Sequence, residues 1–315
     1  MKRILSVLMA VALLLSLTAC GAGTSMTMGT GGTAGTYYAY GGVLGNHIKT
    51  NCGISVNVVS TDGSKANILG IDAGNYQLGT VQSDVLAYAA AGSRSFEKEG
   101  AIDSFRVVGG LYAEAVQLVT MDPAIKSVAD LRGKKVSIGA AGSGVYFNAV
   151  DVLAAAGMTV EDIDPQYQSF ADSADALKDK KIDAAFIVAG APTPAIQELC
   201  TAADAYLVPI DGAIAEALLK TSPYYTTYKV PAGTYDGQTA DVTTVTVKAT
   251  LIVSTSASED DVYNITKAIF EQKDGISHAK AAELSLENAT TGMEAPFHAG
   301  AAKYYAEKGI TVETK

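Results

Sequence analysis

Twice along this chain an apolar run stops at a glycine-rich turn and passes straight into a segment of helical periodicity, and that alternation constrains the fold class. Residues 25–28 read as a strand, Gly29-Thr30-Gly31-Gly32-Thr33-Ala34-Gly35 as the turn, and Val43, Leu44 and Ile48 as one apolar helix face. The second instance is a strand over 136–139, the turn Ala140-Ala141-Gly142-Ser143-Gly144, and a helix over 145–156 stopped by Gly157. Around them lie a strand over 54–60, a helix over 64–73, and a strand over 78–81 that delivers Gln82-Ser83-Asp84 to a helix through Leu86 and Ala90. A helix over 173–180 and strands over 184–188 and 207–210 continue the series. Such alternation predicts an α/β fold of doubly wound sheets, in which ligands sit at the carboxyl ends of the strands.

Two β-rich runs, 105–121 and 243–255, are too long for an ordinary strand of a small sheet. Each is expected to leave one lobe and enter another. The predicted organisation is therefore two-lobed, with lobe I formed by 26–115 plus 248–315 and lobe II by 116–247. Helices over 260–271 and 298–308 complete lobe I. With 315 residues and 48% hydrophobic side chains, the chain can bury two cores.

A formal net charge of −10 disfavours nucleic acid as a partner. The only arginines are Arg3, Arg94, Arg106 and Arg132, so a multi-arginine clamp for anions has little to be built from. His47, His278 and His298 are scattered and fall in no Ser/His/Asp or HExxH pattern. Cys52 and Cys200 lack CxxC spacing; they read as free structural thiols, with a disulfide as the alternative in an exported chain. Neither an enzyme, nor a metal site, nor a cofactor is expected, and a monomer is.

The N-terminus carries its own signal. Lys2 and Arg3 precede an apolar run over 4–17 and the sequence Leu17-Thr18-Ala19-Cys20. The run is short for a bilayer span and reads as a secretion signal. The small residues before Cys20 resemble a bacterial lipobox, which would make residues 1–20 a lipoprotein signal peptide, Cys20 the lipidated residue, and 21–25 a short tether to the membrane. An ordinary cleaved signal with an incidental cysteine is the alternative.

Four loops are expected to meet in one crevice. The first supplies Gly31, Gly32, Thr33, Thr36, Tyr37 and Tyr38, where glycines allow close backbone approach and the helix start offers unpaired N–H groups to an anion. Gln82, Ser83 and Asp84 follow the third strand; capping of the next helix is the plainer role for the last two. Ser143 and Gly144 come from the second glycine turn, and Ala189, Gly190 and Pro192 from the loop after 184–188. Tyr235 belongs to a Tyr-, Pro- and Gly-rich stretch over 222–237 that could wall a pocket or serve surface packing. Anion capture is expected to rest on backbone N–H groups and hydroxyls rather than a guanidinium.

Six blocks then carry a resemblance. Residues 29–38, Val81-Gln82-Ser83-Asp84, Leu111-Tyr112-Ala113-Glu114, Gly142-Ser143-Gly144, Phe186-Ile187-Val188-Ala189-Gly190-Ala191-Pro192 and Pro231-Ala232-Gly233-Thr234-Tyr235 together resemble the TAXI family of TRAP-transporter solute receptors. The closing Pro296-Phe297-His298-Ala299-Gly300 is similar too, with Ala299 where that family has proline. The resemblance implies a type II periplasmic-binding-protein fold with two crossing hinge strands and an extracytoplasmic location. It implies a small acidic or amino-acid ligand such as glutamate, glutamine or 2-oxoglutarate, and a TRAP membrane permease, fused or separate, as partner. A sensor that presents its ligand to a signalling protein is the alternative.

Overall fold

A computed structural model describes residues 24–315. The proposed signal peptide and Cys20 lie outside the described residues. In chain order the strands and helices are β1 (Ser25–Gly29), α1 (Thr36–Cys52), β2 (Ser55–Val59), α2 (Ser64–Asp72), β3 (Leu78–Gln82), α3 (Ser83–Ala91) and β4 (Phe105–Thr120). They continue as β5 (Lys135–Ser137), α4 (Gly144–Ala155), β6 (Asp164–Gln166), α5 (Phe170–Lys178), β7 (Ala184–Ala189), α6 (Pro194–Ala202), β8 (Tyr206–Val208) and α7 (Gly212–Thr221). The last are β9 (Thr226–Val230), β10 (Val242–Ser254), α8 (Glu259–Glu271), α9 (Leu286–Thr290) and α10 (Ala299–Glu307).

The fold is α/β and two-lobed, and hydrogen bonding runs through both lobes without a break, in the order β2-β1-β3-β10-β4-β7-β5-β6. Two long strands make this continuity. The first half of β4 pairs antiparallel with β10, from Phe105↔Ser254 to Ala115↔Thr246. Its second half pairs with β7, Ala115↔Ala189 to Thr120↔Ala184, and with β8. β10 likewise meets β9 over Val242–Thr246 and β3 over Ala249–Val253. Its register against β4 shifts between Lys248 and Thr250, and a bulge of this kind bends a strand, here where it passes from one lobe to the other.

Alternation along the strands sets up the cores. In β4, Val116 and Leu118 face one layer and Ala115 and Val119 the other; in β7, Ala184, Phe186 and Val188 divide from Ala185, Ile187 and Ala189 in the same way. Val152 and Leu153 of α4 and Leu218 of α7 close the first layer, whereas Leu177 of α5 and Ile196 and Leu199 of α6 close the second. Both faces of this half are covered, as an α/β sheet requires. In the other lobe α1 buries Tyr37, Tyr40, Leu44 and Ile48 at helical spacing, and Gly53, at φ 71°, ends it with its N–H on the Lys49 carbonyl.

Element ends depart from the sequence expectation where caps decide them. α5 begins at Phe170 rather than 173, because the Ser169 hydroxyl accepts from the Asp172 N–H.

Candidate functional site

A cavity of about 70 Å³ lies between the lobes. One water needs roughly 10–15 Å³ on the same measure, so the space suits a solute of metabolite size. Its walls come mainly from helix starts. Gly35 with Thr36 and Tyr37 opens α1, Gly63 with Ser64 opens α2, Ser143 with Gly144 and Val145 opens α4, Ser169 with Phe170 opens α5, and Gln82 precedes α3. In four of these five helices, α5 being the exception, no side chain caps the first turn. Uncapped N–H groups and the positive ends of helix dipoles thus border the cavity, which is the arrangement that receives an anion. At two of these starts the missing side chain has a direct reason: Gly35 sits against the Phe170 ring, and Gly63 holds φ 103°.

Side chains add hydroxyls and a carboxylate. The Tyr37 hydroxyl, the Ser143 hydroxyl and Glu114 Oε1 are buried and have no hydrogen-bond partner among the described residues. Ser143 occupies a helix N-cap, yet its hydroxyl makes no capping bond. Glu114 reaches the cavity from β4 and is 1% exposed. Burial pushes its carboxyl up to about 8, against the pull of the Tyr37 hydroxyl and the Lys280 ammonium. Lys280 does not itself line the wall; its ammonium pairs with Glu283 at 2.7 Å.

The lobes touch beside the cavity through a polar chain. Gln82 Nε2 donates to Asn148 Oδ1 at 2.6 Å, while Asn148 Nδ2 donates to Asp84 Oδ2 at 2.9 Å and to the Tyr225 hydroxyl at 2.8 Å. Tyr225 in turn donates to Asp151, which holds Arg94 at 2.7 Å. On the opposite side the Thr36 hydroxyl donates to the Gly190 carbonyl at 2.7 Å. Burial pushes Asp84 up to about 7.

Of the residues singled out in the sequence, Gly31, Gly32, Thr36, Tyr37, Gln82, Ser143, Gly144 and Ala189 come together on the cavity wall. Thr33 stands outside, in a groove at the mouth. Tyr38 and Pro192 do not line the cavity, and Pro192 is exposed. Ser83 faces away, its hydroxyl accepting from the Lys248 N–H on β10 at 3.2 Å. Asp84 and Gly190 stand behind the wall in the interlobe contacts just described. Tyr235 is buried but not at the cavity: its hydroxyl accepts from the Thr193 N–H at 2.9 Å and donates to Gln117, supporting the loop after β7. Arg94, Arg106 and Arg132 pair with Asp151, Asp103 and Asp162, and none lines the cavity.

Sequence reasoning missed three parts of the wall. Thr61 to Ser64 follow β2, so the rule that placed the other loops would have found them, whereas Gln168 to Phe170 follow β6, a strand absent from the sequence reading. Glu114 had a signal too, as the one acidic residue in a long, mainly apolar strand.

Solved structures share the fold. The chain is similar to the alkanesulfonate-binding protein SsuA from Xanthomonas axonopodis pv. citri (18% identity, 92% of this chain on 95% of that one, TM-score 0.50). It is similar also to the ligand-binding component of an ABC-type import system from Staphylococcus aureus (9%, 92% on 94%, TM-score 0.53) and to a putative L-cystine ABC transporter protein from Listeria monocytogenes (17%, 85% on 98%, TM-score 0.52). A sequence profile covers residues 28–309, nearly everything described above, and by that match the chain belongs to the NMT1-like family.

Proposed function

We propose that this protein is a solute receptor for a transport system, binding a small organic anion or amino acid in the interlobe cavity and passing it to a membrane permease. The observation that carries the reading is the meeting of five helix starts, four of them without side-chain caps, around one interlobe cavity. An alkanesulfonate-binding protein and the ligand-binding component of an ABC-type import system, both with the same fold, support it. In finer detail, the blocks shared with TAXI receptors favour a TRAP-type permease and a ligand of the glutamate, glutamine or 2-oxoglutarate kind. We assign 26–115 with 248–315 to one lobe and 116–247 to the other, on the outer side of the cell membrane and anchored to it by a lipid on Cys20. The candidate contacts are Gly31, Gly32, Thr36, Tyr37, Gln82, Ser143, Gly144 and Ala189.

A thermal-shift screen of the purified protein against amino acids, 2-oxo acids, dicarboxylates and sugars tests the reading, because a ligand selective for the native state raises the melting point by mass action. Stabilisation by any compound of the first three sets supports it. No shift with any of them, or a shift with sugars alone, overturns it.

A further inference from the structure

The cavity offers two unlike surfaces to its ligand. One is made of helix starts and is electropositive; the other is Glu114, the buried acid of the lining at 1% exposed, with Oε1 unpartnered and no Lys or Arg among the lining residues, the second acid, Asp62, being exposed. An acid with two carboxylates would satisfy the first surface and confront the second. A zwitterion would satisfy both, its carboxylate on the N–H groups of α1 and α4 and its ammonium on the carboxylate of Glu114.

We propose that Glu114 is the specificity residue of this site, reading the amino group of an α-amino acid and excluding the 2-oxo acids and dicarboxylates of the same length. The proposal rests on the receptor reading above. The Tyr37 and Ser143 hydroxyls and Gln168 Oε1, also buried and unpartnered, flank the same space and offer further polar groups to the ligand. The charged and titratable groups around Glu114 are Tyr37 on α1, Tyr112 on its own strand, Asp84 at the start of α3 and Lys280 ahead of α9, and the exposed Asp62 ahead of α2 lines the same cavity. Only Lys280 is cationic, and its ammonium is held by Glu283.

A protonation consequence follows. Glu114 is largely protonated at neutral pH, since burial holds it at about 8. Seating an ammonium against it requires the ionised form, so binding releases a proton from Glu114 to solvent. Affinity then rises with pH up to about 8 and levels off above it. A Glu114 that instead stayed protonated and donated to a ligand carboxylate would give the opposite sign.

The test is calorimetric titration with the L-amino acids, and, for each that binds, with its 2-oxo and deamino counterparts; for L-glutamate these are 2-oxoglutarate and glutarate. The expected result is binding of an amino acid at least about tenfold tighter than either counterpart, with proton release at pH 7 read from two buffers of different ionisation enthalpy. Glu114→Gln should weaken that amino acid by about 10- to 100-fold, abolish the proton release, and leave unliganded melting unchanged or raised. The proton measurement is made on the unaltered protein and so stands even if the variant folds poorly. Equal or tighter binding of the counterparts, or proton uptake, overturns the assignment of Glu114 and leaves the receptor reading intact. Binding by no compound of any class overturns both.

Discussion

Asn148 of α4 and Asp84 of α3 are joined across the cleft by a 2.9 Å hydrogen bond, and the same amide accepts from Gln82 at 2.6 Å. One fully buried side chain from the second lobe thus satisfies two groups at the start of a helix in the first. Cleft geometry and the protonation of Asp84 are therefore linked.

Replacing Asn148 by alanine strands Asp84 and Gln82 together. The loss is expected to be roughly 2–4 kcal/mol of unfolding free energy, since each buried group left unpaired costs about 1–3 kcal/mol and a carboxylate more. Urea denaturation measures it; a loss under about 0.5 kcal/mol would mean that water replaces the amide at little cost.

The two raised carboxyls predict the sign of the pH response. Asp84, at about 7, and Glu114, at about 8, bind protons in the folded state that they release when unfolded between about pH 4 and 8. Their contribution to stability therefore falls as pH rises through that window, with the penalty complete above it and absent below the ordinary carboxylate range. Asp84→Asn and Glu114→Gln should each flatten the stability curve of the unliganded protein between pH 5 and 8. A slope identical to that of the parent would show that neither group is shifted upward.

How much of this could be read from the chain depends on how local each signal is. The glycine turns at 29–35 and 140–144 announce helix starts within a few residues, and the side chains they present, Tyr37 and Ser143, reach the cavity. Tyr235 shows the opposite case. Its aromatic loop was visible, but its ring is turned away by a bond to Gln117, 118 positions earlier, which no local pattern encodes. Glu114 fails for a related reason: in a strand paired on both sides, which face meets the cleft is settled by the partners, here Val247 on β10.

Two glycines should respond oppositely to alanine. A Cβ on Gly144 would stand 1.3 Å from Gln82 Oε1, so Gln82 must move and release Asn148. Gly144→Ala should weaken ligand binding about tenfold or more. Gly42, inside α1, has no atom within 4 Å of an added Cβ, and Gly42→Ala should stabilise by about 0.5–1 kcal/mol. Urea midpoints and ligand titrations on both variants check the pair, and a normal affinity for the first would remove Gln82 from the closing contacts.

Thr36 and Arg106 separate an interlobe bond from a surface one. Thr36→Val removes the 2.7 Å bond to the Gly190 carbonyl and should weaken binding about fivefold. Arg106 holds an exposed Asp103, a pair worth about 0–1 kcal/mol, and Arg106→Lys should leave affinity unchanged. The reverse ranking in a titration would place the anion contact on a guanidinium.

The most direct measurement of the central claim compares ligand-induced melting shifts in the native chain and in Gly32→Phe. Gly32 lines the cavity and an added Cβ there meets nothing within 4 Å, so the variant can fold with a ring at the mouth. A solute receptor built as described gives a shift in the native chain and none in the folded variant. Equal shifts in the two would place the ligand elsewhere and contradict the account.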